Sequence, residues 1–283
     1  MTPAYEPVSP PVALAIAGSD SGGGAGIQAD LKSMTAHGVF GTSVVTATTA
    51  QNTRGVREVH AVPADHVASQ YDAVVADFDA DAVKTGMLAT AETVETVTGL
   101  LAEFAGPVVV DPVMVAATGD RLLSPEAEAA YDGLIEAATL VTPNADEAAV
   151  LVDERVESPS DAERAGRELV AHGADAALVK GGHLDGETVV DTLVVGDADG
   201  GDGDGVNPKA IVARFENPRV ETGATHGSGC ALSSAIAARL ARGESLTDAV
   251  ASAVDEMGAA IRRGYDVGEG PGAVNPTVLD DRE

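Results

Sequence analysis

The stretch VALAIAGSDSGGGAGIQADLKSMTAHG, residues 12–38, decides the fold class. Val12 to Ala17 is a short apolar run, the pattern of a strand buried on both faces. It breaks into the glycine-rich turn Gly18 to Gly26, and Ala25 to His37 then places Ile27, Leu31 and Met34 on one helical face before Gly38 stops the helix. Strand, glycine turn and helix in that order open an α/β unit. The turn lacks the Gly-Lys-Ser/Thr of a Walker loop and the spacing of a dinucleotide fingerprint. By itself it fits a plain tight turn as well as a ligand cradle.

The same alternation continues outward. Ser43 to Ala50, Val56 to Val62, Ala82 to Thr85, Pro107 to Val110, Thr139 to Thr142, Ala176 to Lys180, Thr188 to Val195 and Ala210 to Glu216 read as strands. Helices are predicted over Asp65 to Asp77, Glu92 to Phe104, Asp161 to His172, Cys230 to Arg242 and Leu246 to Arg263, with further starts at Ser124-Pro125 and Pro143-Asn144. This rhythm predicts a single α/β domain over residues 12–275, a mostly parallel sheet with helices on both faces, between tails 1–11 and 276–283. Ligands of such sheets sit beyond the carboxyl ends of the strands. The acidic Asp197 to Gly205 stretch breaks the rhythm and reads as a solvated hairpin loop.

Composition narrows the function classes. The 283 residues carry 45 acidic against 17 basic side chains, a net charge of −28, which repels nucleic acid and anionic lipid. A surface kept soluble in high salt, and hence a halophilic source, is the expectation drawn from that charge. Cys230 is the sole cysteine, so neither an internal disulfide nor a cysteine-based zinc site can close. The N-terminal residues hold four Pro without a basic apolar leader, and no apolar run is long enough to span a bilayer, so a cytoplasmic location is expected.

The chemistry-bearing residues follow strands. Thr225-His226-Gly227-Ser228-Gly229-Cys230 precedes a helix, so the amides from Gly227 to Cys230 are expected to converge as an anion hole at its positive end. That position would lower the pKa of the Cys230 thiol, although a lone cysteine after a turn also serves as packing. Asp30, four residues after Gly26, can project toward the first glycine turn. Asp111 ends a strand before Pro112, and Lys180, one of only four lysines, ends another. Asn144 and Glu147 form a capping pair, or a carboxylate there holds magnesium through water.

Taken together these motifs resemble the hydroxymethylpyrimidine/phosphomethylpyrimidine kinases of thiamine biosynthesis, in the ribokinase-like superfamily. The resemblance runs from about Val12 to Arg263, through Ala17 to Lys32, Thr49 to Thr53, Lys84 to Leu88, Val110 to Met114, Thr142 to Asn144, Lys180 to His183 and Thr225 to Cys230. It implies ATP-dependent phosphorylation of the hydroxymethylpyrimidine and then of its monophosphate. The pyrimidine would rest near Gly18, Asp30, Gln51, Met87 and Val113, with Gln51 and Asp30 reading the ring nitrogens and amino group. Cys230 would be the base, Gly227, Ser228 and Gly229 would stabilise the transferring phosphoryl group, and Lys180 and Thr225 would contact ATP. Asp111, Asn144 and Glu147 would support Mg2+. A homodimer is implied too. Ser228 stands where Thr is common, Gly223-Ala224 replaces bulkier polar residues, and the acidic loop has no counterpart. No extension after about Asn275 suggests a second, synthase-like domain. A pyridoxal kinase and a non-catalytic pyrimidine sensor are the competing readings.

Overall fold

The structure, a computed structural model, describes residues 6–114, 125–196 and 210–278. The acidic stretch from Asp197 to Gly205 therefore lies outside the described residues, as does the Ser124 start signal. Nine strands form one sheet: β1 (Val12–Ser19), β2 (Phe40–Asn52), β3 (Gly55–Ala61), β4 (Ala82–Thr85), β5 (Val108–Val110), β6 (Leu140–Val141), β7 (Ala176–Val179), β8 (Thr188–Val195) and β9 (Ile211–Pro218). Their spatial order is β3-β2-β1-β4-β5-β6-β7-β8-β9. From β2 to β7 every pairing is parallel, while β3 on one edge and β8-β9 on the other run antiparallel.

The helices are α1 (Gly26–Ala36), α2 (Ala64–Val75), α3 (Ala91–Leu101), α4 (Pro125–Ala129), α5 (Asp132–Glu136), α6 (Ala145–Val152), α7 (Pro159–Ala171), α8 (Ser228–Ala241) and α9 (Leu246–Arg262). The period-two geometry of β1 explains how the two faces differ. Leu14 and Ile16 pack with Val67 of α2, Val94 of α3 and Leu134 of α5, whereas Ala13, Ala15 and Ala17 face Ile27 and Met34 of α1 and Ala238 of α8. Small side chains on that second face let α8 lie close to the sheet. Ten of its residues are buried, so it is enclosed nearly all round.

Chain order reverses between β1 and β4: β2 is laid on one side of β1 and β4 on the other. That switch opens a crevice beyond the carboxyl ends of the strands, the usual ligand position in an open α/β sheet. Gly18 near the end of β1, Gly86, Asp111 and Lys180 just after β4, β5 and β7, and Asn144 three residues beyond β6 all lie there.

Candidate active site

The first glycine turn is built around Asp20. Its carboxylate accepts from the amides of Gly22 (2.7 Å), Gly24 (3.0 Å) and Ala25 (2.9 Å), and from His226 Nε2 at 3.0 Å. Burial works to raise the Asp20 pKa, but the His226 bond and the backbone amides outweigh it and hold the carboxyl below its ordinary range. Two glycines here are demanded by geometry. Gly26 has φ +56°, and Gly227, which starts α8, has φ +80° with the Gly24 carbonyl where a Cβ would stand. The two glycine loops therefore touch directly, and the Asp20–His226 bond ties them.

Gly227 caps α8 without a side-chain bond. The Ser228 amide donates to the Thr225 carbonyl at 3.1 Å, so it is used by the turn, and the expected run of converging amides is shorter than Gly227 to Cys230. The Gly229 and Cys230 amides belong to the first helical turn, where no intrahelical acceptor exists. Lys180 Nζ and Asp111 meet at Gly229: a Cβ there would lie 3.2 Å from Nζ and 3.8 Å from Asp111 Oδ2. Lys180 donates to Asp111 Oδ1 at 2.9 Å, whereas Asp111 Oδ2 is buried without a partner. Thr225 is exposed at the rim.

The expectation for the Cys230 thiol is overturned. Burial is the largest influence and pushes it up to about 11, against the pull of Lys84 and with further push from Asp30 and Asp111. The residue keeps some exposure, yet the sulfur is enclosed enough for desolvation to exceed the benefit of the helix terminus.

Asp30 is also placed differently from the ring contact expected. It is 0% exposed, and its Oδ1 accepts from Lys84 Nζ (2.8 Å) and Ser234 Oγ (2.7 Å), below the site floor. Of the other residues expected at the ring, Gly18, Met87, Val113 and Gln51 lie at or just beyond the ends of β1, β4, β5 and β2. A Cβ on Gly18 would strike Met87 Cε, Val113 packs on the core below Asp111, and Gln51 follows a bulge in β2 beside the first glycine turn. Ser21 Oγ donates to the Gln51 carbonyl at 2.7 Å, fixing that approach.

The sequence-read capping pair is present: Asn144 Oδ1 accepts from the Glu147 amide at 2.9 Å and Glu147 Oε2 from the Asn144 amide at 2.8 Å. Burial, opposed by Lys180 and helped by Asp111, pushes Glu147 up to about 7. Among the described residues no group of three or more His, Cys, Asp or Glu is placed to hold a metal directly. The unpartnered Asp111 oxygen fits a hydrated divalent cation, while the Asn144 side chain is already committed to its helix.

Sequence reasoning missed several supports. Lys84 is buried within a strand and gave no signal beyond its motif. Asp20 and His226 lie 206 residues apart, so only their presence beside two glycine loops hinted at a meeting. Asp191 accepts from the Gly181 amide at 2.7 Å, and Arg219 donates to the carbonyls of Gly182 (3.0 Å), Leu184 and Gly186 (2.7 Å), fixing the loop after Lys180.

Comparison with known proteins agrees with this layout. A family profile described as phosphomethylpyrimidine kinase matches residues 20–275. A relative from Streptomyces coelicolor, named hydroxymethylpyrimidine/phosphomethylpyrimidine kinase, is 47% identical over 276 residues, 97% of each chain. An ADP complex of Bacillus subtilis pyridoxal kinase superimposes with a TM-score of 0.84 at 31% identity, covering 96% of this chain and 99% of the other. A phosphomethylpyrimidine kinase from Clostridium difficile gives a TM-score of 0.73 at 38% identity, covering 88% and 99%.

Proposed function

This chain belongs to the phosphomethylpyrimidine kinase family, and on that premise we propose that it transfers the terminal phosphate of ATP to 4-amino-5-hydroxymethyl-2-methylpyrimidine and then to the resulting monophosphate, in thiamine diphosphate biosynthesis. The observation that carries the reading is the meeting of Lys180, Asp111 and Gly229 at the start of α8, next to Cys230 and across from the first glycine turn.

The ring rests on Gly18 and Met87, flanked by Val113, with the Gln51 side chain reading its edge. Cys230 takes the hydroxyl proton, the freed oxygen attacks the γ-phosphorus, and the bond to the ADP oxygen breaks. The Gly229 and Cys230 amides and the positive end of α8 stabilise charge on the moving phosphoryl group. Lys180 holds ATP phosphate oxygens, with Thr225 at the rim. Magnesium, when bound, shields the phosphates. Asp111 and Glu147 would hold it through water, and Asn144 acts by fixing Glu147. A homodimer and a cytoplasmic location accompany this reading.

The test is ADP release by purified protein in magnesium and high salt, with and without the pyrimidine alcohol. Stimulation by the alcohol is expected, and its absence would favour a non-catalytic sensor. The close superposition on pyridoxal kinase supports a second reading in which pyridoxal is the alcohol. Turnover on both alcohols side by side decides between them.

A further inference from the structure

The chain that leaves α9 has no part in the reading above. Residues 265–274 form a narrow strap closed by two backbone bonds, from the Tyr265 amide to the Ala273 carbonyl (2.7 Å) and from the Ala273 amide to the Tyr265 carbonyl (3.2 Å). Its base is fixed to the second glycine loop: the His226 amide donates to the Gly272 carbonyl and the Val274 amide to the His226 carbonyl, both at 3.1 Å. The strap then reaches across to the tip of the β2–β3 hairpin. There Thr53 Oγ1 accepts from the amides of Glu269 (3.2 Å) and Gly270 (3.1 Å), and Arg54 pairs with Glu269. The approach is so close that a Cβ on Gly270 would strike the Thr53 carbonyl. Underneath is a hollow lined in part by Gly22, Gly23, Lys32, Tyr265 and Val267, so the strap spans the space above the first glycine turn rather than filling it.

The hairpin tip is thus gripped from two sides. On one side Ser21 Oγ donates to the Gln51 carbonyl at 2.7 Å and accepts from the Gln51 amide at 2.8 Å. On the other the strap holds Thr53, two residues further along. Gln51 stands between these grips, just past the irregularity in the β2–β3 ladder, where regular pairing fixes the backbone least. Packing does little to help, because β3 is the edge strand and four of its seven residues are exposed. The Arg54–Glu269 pair is exposed too and adds little in water. The two amide bonds to Thr53 are therefore the main hold of the strap on the tip.

We propose that residues 265–274 are a clasp on the β2–β3 hairpin, and that Thr53 is the positioning residue through which the clasp sets Gln51 against the ring of the alcohol. This rests on the proposed function, in which Gln51 reads the ring edge. Thr53 acts through Gln51, so the affinity for the alcohol depends on two backbone amides that lie outside the ring site.

The test is made on the full-length protein. Thr53→Val keeps the shape of the side chain and removes the acceptor oxygen. Calorimetry with the pyrimidine alcohol alone should show an affinity about tenfold weaker, the scale of one such hydrogen bond. The affinity for a non-hydrolysable ATP analogue should stay as in the parent. The steady-state KM for the alcohol should rise while kcat holds, the mark of lost ground-state binding. Thr53→Ser keeps the oxygen and should restore the affinity. Gly270→Ala attacks the same contact from the strap and should give the same pattern, so the result does not depend on the folding of one variant. Without ligand, hydrogen exchange should quicken over residues 49–56 in Thr53→Val and Gly270→Ala and stay unchanged over residues 228–241. A folded variant with an unmoved alcohol affinity, or with equal losses for alcohol and nucleotide, overturns the proposal. Parent protein that binds the ATP analogue but not the pyrimidine alcohol contradicts the proposed function instead. The clasp is then decided by exchange over residues 49–56, and unaltered exchange there overturns it.

Discussion

At Cys230 burial is opposed chiefly by the Lys84 ammonium, and burial prevails. A thiol pushed up to about 11 is a poor thiolate in the free protein but a strong base once ionised, which is the use the proposed function gives it. Cys230→Ala should leave ATP and pyrimidine binding nearly intact, because the amides and ring contacts do not use the sulfur. Turnover should fall by roughly two to four orders of magnitude. Calorimetric binding and steady-state turnover on one preparation check both halves. Glu147 gives a pH signature. Its folded pKa, about 7, lies above its reference value of 4.5, so its protonated form favours the fold. That contribution is present in full below pH 4.5 and is lost as pH rises through about 7. Glu147→Gln should therefore gain in relative stability between pH 5 and pH 8, measured by urea unfolding without magnesium. Equal differences at both pH values would contradict it.

At the scale of elements, the strands were the most legible part of the sequence. Thr188 to Val195 was read with the bounds the structure gives, because its β-branched run is flanked by polar turns. A helix, α4, does begin at Pro125, as the Ser124-Pro125 start signal predicts, and it is followed by a separate α5 after Ala130-Tyr131. The second of these helices is packed into the core, with Tyr131 and Leu134 fully buried. Site residues that end strands were readable because topology puts all strand ends together. The ring contact for Asp30 came with the family resemblance, and periodicity, which gave only its helix face, could not reveal the lysine beneath it. The same blindness hid Arg239, fully buried on α8 and bonded to Glu244 (2.9 Å) and to Glu256 of α9. Arg239→Ala removes the partner of Glu244, leaves Glu256 only His37, and opens a hole under α8, so it should cost about 2–4 kcal/mol of stability, read from denaturant midpoints. At the loop that joins the two glycine turns, Gly227→Ala meets the Gly24 carbonyl and a φ of +80°. It should cost at least about 1–3 kcal/mol in strain and depress turnover more than Ser228→Ala does.

For the whole molecule, charge is the dominant property. A net −28 on 283 residues opposes compaction through self-repulsion that salt screens. The thermal midpoint should climb as KCl is raised from dilute buffer toward molar concentrations. A flat profile would show that the acidic shell carries no such cost. Among the described residues no helix is long and apolar enough to cross a membrane. The Asp20–His226 bond has a further meaning at this scale, because under the proposed function it joins the loop that receives the alcohol to the loop that receives the phosphate. Whichever ligand arrives first stiffens both loops, and the second then meets a site already ordered. Heterotropic cooperativity follows, and thermodynamic reciprocity requires that each ligand raise the affinity of the other by one and the same factor. Titrations of the pyrimidine alcohol and of a non-hydrolysable ATP analogue, each with and without the other, would measure that factor twice. His226→Ala, which cuts the tie, should return it toward unity.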